Sequence, residues 1–150
     1  MEDGSTTHLV DLMFELWGGK PERTNKSPVI DSLYLDIKST QNPLYIQSGS
    51  IIPVSADARD PENDALTYHW EIVPEGRFFA FSPEPGLGWH ELRPNPIPGL
   101  VLEQTGNRAC LKAPPGRGAY RIFAYAYDGS SNGAYANIPF FVINSDLVNK

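Results

Sequence analysis

The chain has 150 residues, which suits one domain with a real core. Proline (14), glycine (13), tyrosine (7) and phenylalanine (7) are plentiful and helix formers are not enriched, which favours an all-β, turn-rich fold. A formal net charge of −6, with lysines and arginines scattered singly, makes a nucleic-acid backbone a poor partner.

The first residues are acidic and lack the basic start of a signal peptide. They are expected to be a cut through a longer protein. No apolar run approaches the ~18 residues needed to cross a bilayer. Leu9, Leu12, Met13 and Leu16 fall at helical spacing, and Phe14 and Trp17 widen the stripe. Thr6 or Thr7 is placed to cap this helix, Gly18 and Gly19 to end it, and Pro21 follows. The spacing predicts a helix of about three turns. Alone such a helix is marginal in water, so it needs a surface to lie on. That surface is expected to be another copy of the chain or an upstream domain. Residues 20–28 form a polar linker. The division is therefore 1–27, helix and linker, and 28–150, one β-domain.

From Val29 the pattern changes to period two. Predicted strands cover 29–37, 50–59, 66–73, 101–103, 107–113, 118–127 and 134–143, with a short piece at Tyr45 and Ile46. Thr105-Gly106-Asn107 is a turn signal, and Gly129 to Gly133 closes the last hairpin. About seven strands at this spacing argue for an antiparallel, immunoglobulin-like β-sandwich with a short helical extension. Between Pro74 and Gly99 lies a long proline-rich insertion, and such loops are usually functional or disordered.

Alternation assigns the faces. Leu66, Tyr68, Trp70 and Ile72 share the core face, as do Tyr120, Ile122, Ala124 and Ala126. Ala134, Ala136, Ile138, Phe140 and Val142 follow them inward. Tyr120 sits where a tyrosine corner would tie down the chain. Thr67, His69, Glu71, Arg121, Phe123, Tyr125, Tyr127, Tyr135, Asn137 and Phe141 then point outward, an aromatic load unusual for a solvated sheet. Cys110 is the one cysteine, so no internal disulfide forms, and its strand setting predicts a buried, inert thiol.

The stretch DPENDALTYHWE resembles the DPxxDxLTYxW motif of bacterial Ig-like modules, among them the polycystic-kidney-disease-type and cadherin-like domains of secreted glycosidases and adhesins. GAYRIFAYAYDGSSNGAYANIPFFV is similar to their closing hairpin. The segment HLVDLMFELWGGKPERTNKSPVI resembles the join after the catalytic barrel of multidomain glycoside hydrolases. The resemblance implies an extracellular or periplasmic accessory module, carried by an upstream catalytic domain in the same polypeptide.

Three functions compete for the residues. Asp60, Asp64 and Asp128 would converge at one pole, with Asp57, Glu62 or Asn63 nearby. Calcium takes about six to eight hard oxygens, and such carboxylates with turn carbonyls supply them. The same residues also serve simply as good turn formers. Polysaccharide is the second candidate ligand, because sugar rings stack on flat aromatic surfaces. Trp89 and His90 in the insertion, and Phe123, Tyr125, Tyr127 and Tyr135 with His69 and Glu71 on the outward face, are its candidate contacts. The alternative is that the insertion or a neighbouring domain covers these rings. Catalysis has little support. The three histidines His8, His69 and His90 lack metal spacing, and no Gly-x-Ser-x-Gly, Walker loop or HExxH occurs. The chain is expected to be no enzyme but a non-catalytic carbohydrate-binding module. A spacer or domain-packing module, or a protein-adhesion module, is the rival reading.

Overall fold

A computed structural model describes residues 6–17, 25–37, 43–76, 78–82, 88–92 and 94–144, with the backbone alone at 14, 15, 78–82 and 88–92. One helix, α1 (His8–Leu16), precedes ten strands among these residues. They are β1 (Val29–Leu35), β2 (Tyr45–Gln47), β3 (Ile51–Arg59), β4 (Thr67–Pro74), β5 (Phe78–Ser82), β6 (Gly88–Leu92), β7 (Val101–Thr105), β8 (Arg108–Lys112), β9 (Gly118–Tyr127) and β10 (Gly133–Ile143).

The strands build two four-stranded sheets, ordered β1-β3-β8-β7 and β2-β10-β9-β4, and a separate hairpin β5-β6. All pairings are antiparallel except β2 with β10. Alternation writes the facing of each strand. In β3, Ile52, Val54 and Ala56 are buried while Ile51 and Asp57 are exposed. In the second sheet Trp70, Ile72, Ile122, Ala124, Phe140 and Val142 are buried, as their phase predicts. Residues from both sheets belong to one hydrophobic cluster, so the sheets face each other across a single core. Gln104 Nε2 donates to the Tyr68 carbonyl at 2.5 Å and stitches one edge of the pair.

Two turns show why these residues end strands. Gly106 adopts a φ of +54° between β7 and β8, which a side chain would oppose. Beside it, the Asn107 side chain donates to the Ala56 carbonyl at 2.8 Å. The Tyr120 hydroxyl donates to the Gly116 carbonyl at 2.9 Å, tying the entry of β9 to the loop before it.

Several expectations need correction or extension. The short piece at Tyr45 is a strand of its own, bonded in parallel to the end of β10. The insertion contributes the β5-β6 hairpin rather than loop throughout. Cys110 is only half-buried. Its neighbours Ala109 and Leu111 take the core side, so alternation turns the thiol to the outer face of the first sheet. There it lines a groove of about 550 Å³ with Tyr34, Ser55, Glu103 and Arg108.

The helix forms where predicted. Thr7 takes the capping position in an extended conformation, but its side chain makes no cap bond. The expected stop at Gly18, Gly19 and Pro21 lies outside the described residues. The apolar stripe is left open: Leu9, Leu12, Met13, Leu16 and Trp17 are exposed, Trp17 by 78%. The segment is nevertheless bonded to the β-domain. Buried Asp11 accepts from the Ser27 amide at 2.8 Å, and Thr6 forms a parallel bridge with Asn132. Ser27 and Pro28 are fully buried, so the end of the expected linker is part of the packed body.

Candidate functional site

The second sheet positions the outward residues on a regular grid. Register places His69, Tyr125 and Tyr135 side by side on β4, β9 and β10. The next row is Glu71, Phe123 and Asn137, and the one after is Val73, Arg121 and Pro139. Beyond these, Tyr45 joins Phe141 at the β2 edge. All share one face because each strand alternates without a bulge here.

The aromatic side chains meet as this grid requires. Phe123 and Tyr125 have ring centroids 6.0 Å apart with planes inclined by 15°, and Tyr125 and Tyr127 lie 6.3 Å apart at 12°. Tyr135 leans on both Phe123 and Tyr125 at 6.3 Å. The His69 ring is 5.9 Å from Tyr125. Tyr45 and Phe141 form a second pair at 5.6 Å and 29°. Such offset contacts hold each ring in place before any ligand arrives.

Exposure divides this face. Tyr125 retains 9% of its surface and Glu71 6%, although both point away from the core. Val73, also outward, is buried as well. The Tyr125 hydroxyl donates to Glu71 Oε1 at 2.6 Å. His69 is exposed, with its Nε2 3.9 Å from Glu71 Oε2. Phe123 and Tyr127 are half-buried. Tyr135, in contrast, is 54% exposed. Tyr125 and Glu71 are thus closed off from solvent, while Tyr135 and His69 are accessible. The side chains of Trp89 and His90 lie outside the described residues; their backbone is in β6, paired with Phe81 and Ala80.

Beside the rings sits a polar tie that alternation alone did not single out. The Arg121 guanidinium grips Glu75 with two bonds of 2.7 and 2.9 Å and donates to Asn137 Oδ1 at 2.5 Å. The hydrogen bond from Arg121 holds the Glu75 carboxyl below the usual carboxylate range, against a smaller opposing effect of burial.

The acidic pole is built from hydrogen-bonded turns. Asp60 Oδ1 accepts from the amides of Glu62 and Asp64 at 2.9 and 3.0 Å, while its buried Oδ2 accepts no hydrogen bond. Asp128 accepts from the amides of Ser130 and Asn132 and from Asn132 Nδ2. Asp64 accepts from Asn25 Nδ2 at 2.7 Å. Asn25 and Thr6, both from the N-terminal segment, also bond to Asn132. Among the described residues, no three histidine, cysteine, aspartate or glutamate side chains are grouped as a metal site.

Fold and site together define a two-sheet β-module with one aromatic outer face. No known family matches the chain, and no curated protein matches it. Similar solved structures include a DUF4784 family protein from Bacteroides caccae, at 11% identity over 77% of this chain and 24% of that one, with a TM-score of 0.39. A nucleoside hydrolase-related hypothetical protein from Saccharophagus degradans, associated with carbohydrate metabolism, is 17% identical over 81% of this chain and 26% of its own, with a TM-score of 0.40. The ZirS C-terminal domain is 8% identical over 83% and 73%, with a TM-score of 0.37. This chain spans about a quarter of the first two structures. Likeness at this level carries no argument about function.

Proposed function

We propose that the chain is a non-catalytic, immunoglobulin-like carbohydrate-binding module. It serves a polysaccharide-degrading enzyme outside the cytoplasm, whose catalytic domain precedes it in the same polypeptide. The observation that carries this reading is Tyr135. It is half open to solvent on a face where neighbouring rings already fix its position. A flat π-face matches the C–H face of a pyranose, and a ring ordered beforehand loses little entropy on binding. His69, across Tyr125 in the same row, offers hydrogen bonds to hydroxyls. Two or three such contacts support a dissociation constant of roughly 10 µM to 1 mM, about 4–7 kcal/mol. Affinity electrophoresis against plant and algal glycans tests this: one glycan retards the wild type, and Tyr135→Ala abolishes the retardation without changing the melting temperature.

A second reading, a spacer that packs on a neighbouring domain, is favoured by the open apolar stripe of α1 and by the burial of outward-pointing Tyr125, Glu71 and Val73. It requires that no glycan retards the protein and that deleting residues 1–17 removes an association with that neighbour.

A further inference from the structure

The face that carries Tyr135 continues along β10. Residues 135, 137, 139 and 141 share its parity, and β10 pairs with β9 from Gly133 to Val142 without a register shift. At the far end Phe141 is 40% exposed and Tyr45, on the edge strand, 46%. Neither ring is part of the Tyr125 cluster. Pro139, between the two ends, is also exposed.

We propose that Tyr45 and Phe141 form a second stacking station, so that the ligand is an extended polysaccharide chain lying lengthwise over β10 rather than a terminal sugar. This deepens the carbohydrate-binding reading and rests on it. Six residues of strand separate Tyr135 from Phe141, roughly 20 Å, which no single sugar spans. Between the stations β10 presents Asn137 and Pro139, with Arg121 beside Pro139 on β9 and Glu75 reached by Arg121 at the end of β4. Arg121 occupies Asn137 Oδ1, which turns the Asn137 amide N–H groups into the donors left for a ligand. The Glu75 carboxylate, gripped on one side by Arg121, stays partly exposed as an acceptor.

The order along β10 is therefore ring, amide, proline, ring, with the Arg121–Glu75 pair alongside. A polysaccharide has the same composition, with C–H faces to stack and hydroxyls to bond. A protein partner docking by apolar burial would meet the polar tie in the middle of its contact, and would have to bury an ion pair there. The Tyr45–Phe141 contact also holds both rings in place, as the Tyr135 contacts do at the first station.

The test uses the full chain. Affinity electrophoresis against soluble β-glucan, xyloglucan, arabinoxylan, galactomannan and alginate selects the glycan that retards it. Calorimetry then compares the disaccharide and the hexasaccharide cut from that glycan. The wild type is expected to bind the hexasaccharide at least about tenfold more tightly than the disaccharide. Tyr45→Ala and Phe141→Ala should remove most of that difference with an unchanged melting temperature, while Tyr45→Phe retains it. Tyr135→Ala should weaken both ligands. Equal affinity for the two lengths overturns the second station, as does a hexasaccharide affinity that Tyr45→Ala and Phe141→Ala leave unchanged. In either case the carbohydrate reading survives through Tyr135. No retardation by any of the five glycans overturns both.

Discussion

The two halves of one sheet face behave differently. On β4 and β9, Glu71, Val73 and Tyr125 point outward yet are as inaccessible as core residues. On β10 and β2, Tyr135, Phe141 and Tyr45 point the same way and remain open. Both halves carry the same alternation and a similar density of rings. The first acts as structure: a buried carboxyl receives a buried tyrosine hydroxyl. The second acts as surface, where a ring has contacts on one side and solvent on the other. Parity along a strand says which side of the sheet a residue occupies, but not what lies over that side.

Several measurements break or sharpen this contrast. The largest effect is expected beneath the closed half. Trp70 fills the core under β4, and Trp70→Ala should cost about 3–5 kcal/mol in urea unfolding. A loss under ~1 kcal/mol would mean that the facing of β4 is wrong, and with it both halves.

The acidic pole comes next, where β3 turns into β4 and β9 into β10. A structural calcium at Asp60, Asp64 and Asp128, one of the two readings of these carboxylates in the sequence, would imply stabilisation of about 2.7 kcal/mol at a hundredfold excess over the dissociation constant. Excess EDTA should lower the melting temperature and calcium restore it. An unchanged melting temperature would leave these carboxylates as turn acceptors alone.

Within the closed half, Glu71→Ala removes the carboxyl that accepts from the Tyr125 hydroxyl and should cost about 1–3 kcal/mol. Tyr135→Ala on the open half should stay within ~0.5 kcal/mol of wild type. Equal costs at the two positions would erase the distinction.

The smallest effect belongs to Arg121, which spans the boundary from Glu75 to Asn137. The folded protein holds Glu75 below its ordinary value, so its contribution is present above the unfolded pKa and lost as pH falls through the folded one. Both partners are partly solvated, which limits the contribution to roughly 0.2–1 kcal/mol. Acid titration of Glu75→Gln beside wild type should show the two stabilities converging as pH falls, and a constant gap would contradict the assignment.

Much of this fold was legible in the sequence, because period-two alternation and the Gly106 turn are local signals. Trp70, Ile122 and Phe140 fell on their expected face for that reason. The outward placement of Tyr125, Tyr135 and Phe141 was equally legible. Their differing exposure was not, because it depends on what covers each half. Nor were the bonds of Thr6 and Asn25 to Asn132, or of Asp11 to the Ser27 amide. These join distant parts of the chain through single polar groups, and such pairings leave no periodic trace. They fasten a segment that its composition marks as a mere appendage.

On our proposal the open half binds glycan. Affinity electrophoresis of the wild type and Tyr135→Ala against soluble glycans tests it most directly, with both melting temperatures measured. At least one glycan should retard the wild type and leave Tyr135→Ala unretarded at an unchanged melting temperature. Equal mobility of the two proteins in every glycan would contradict it.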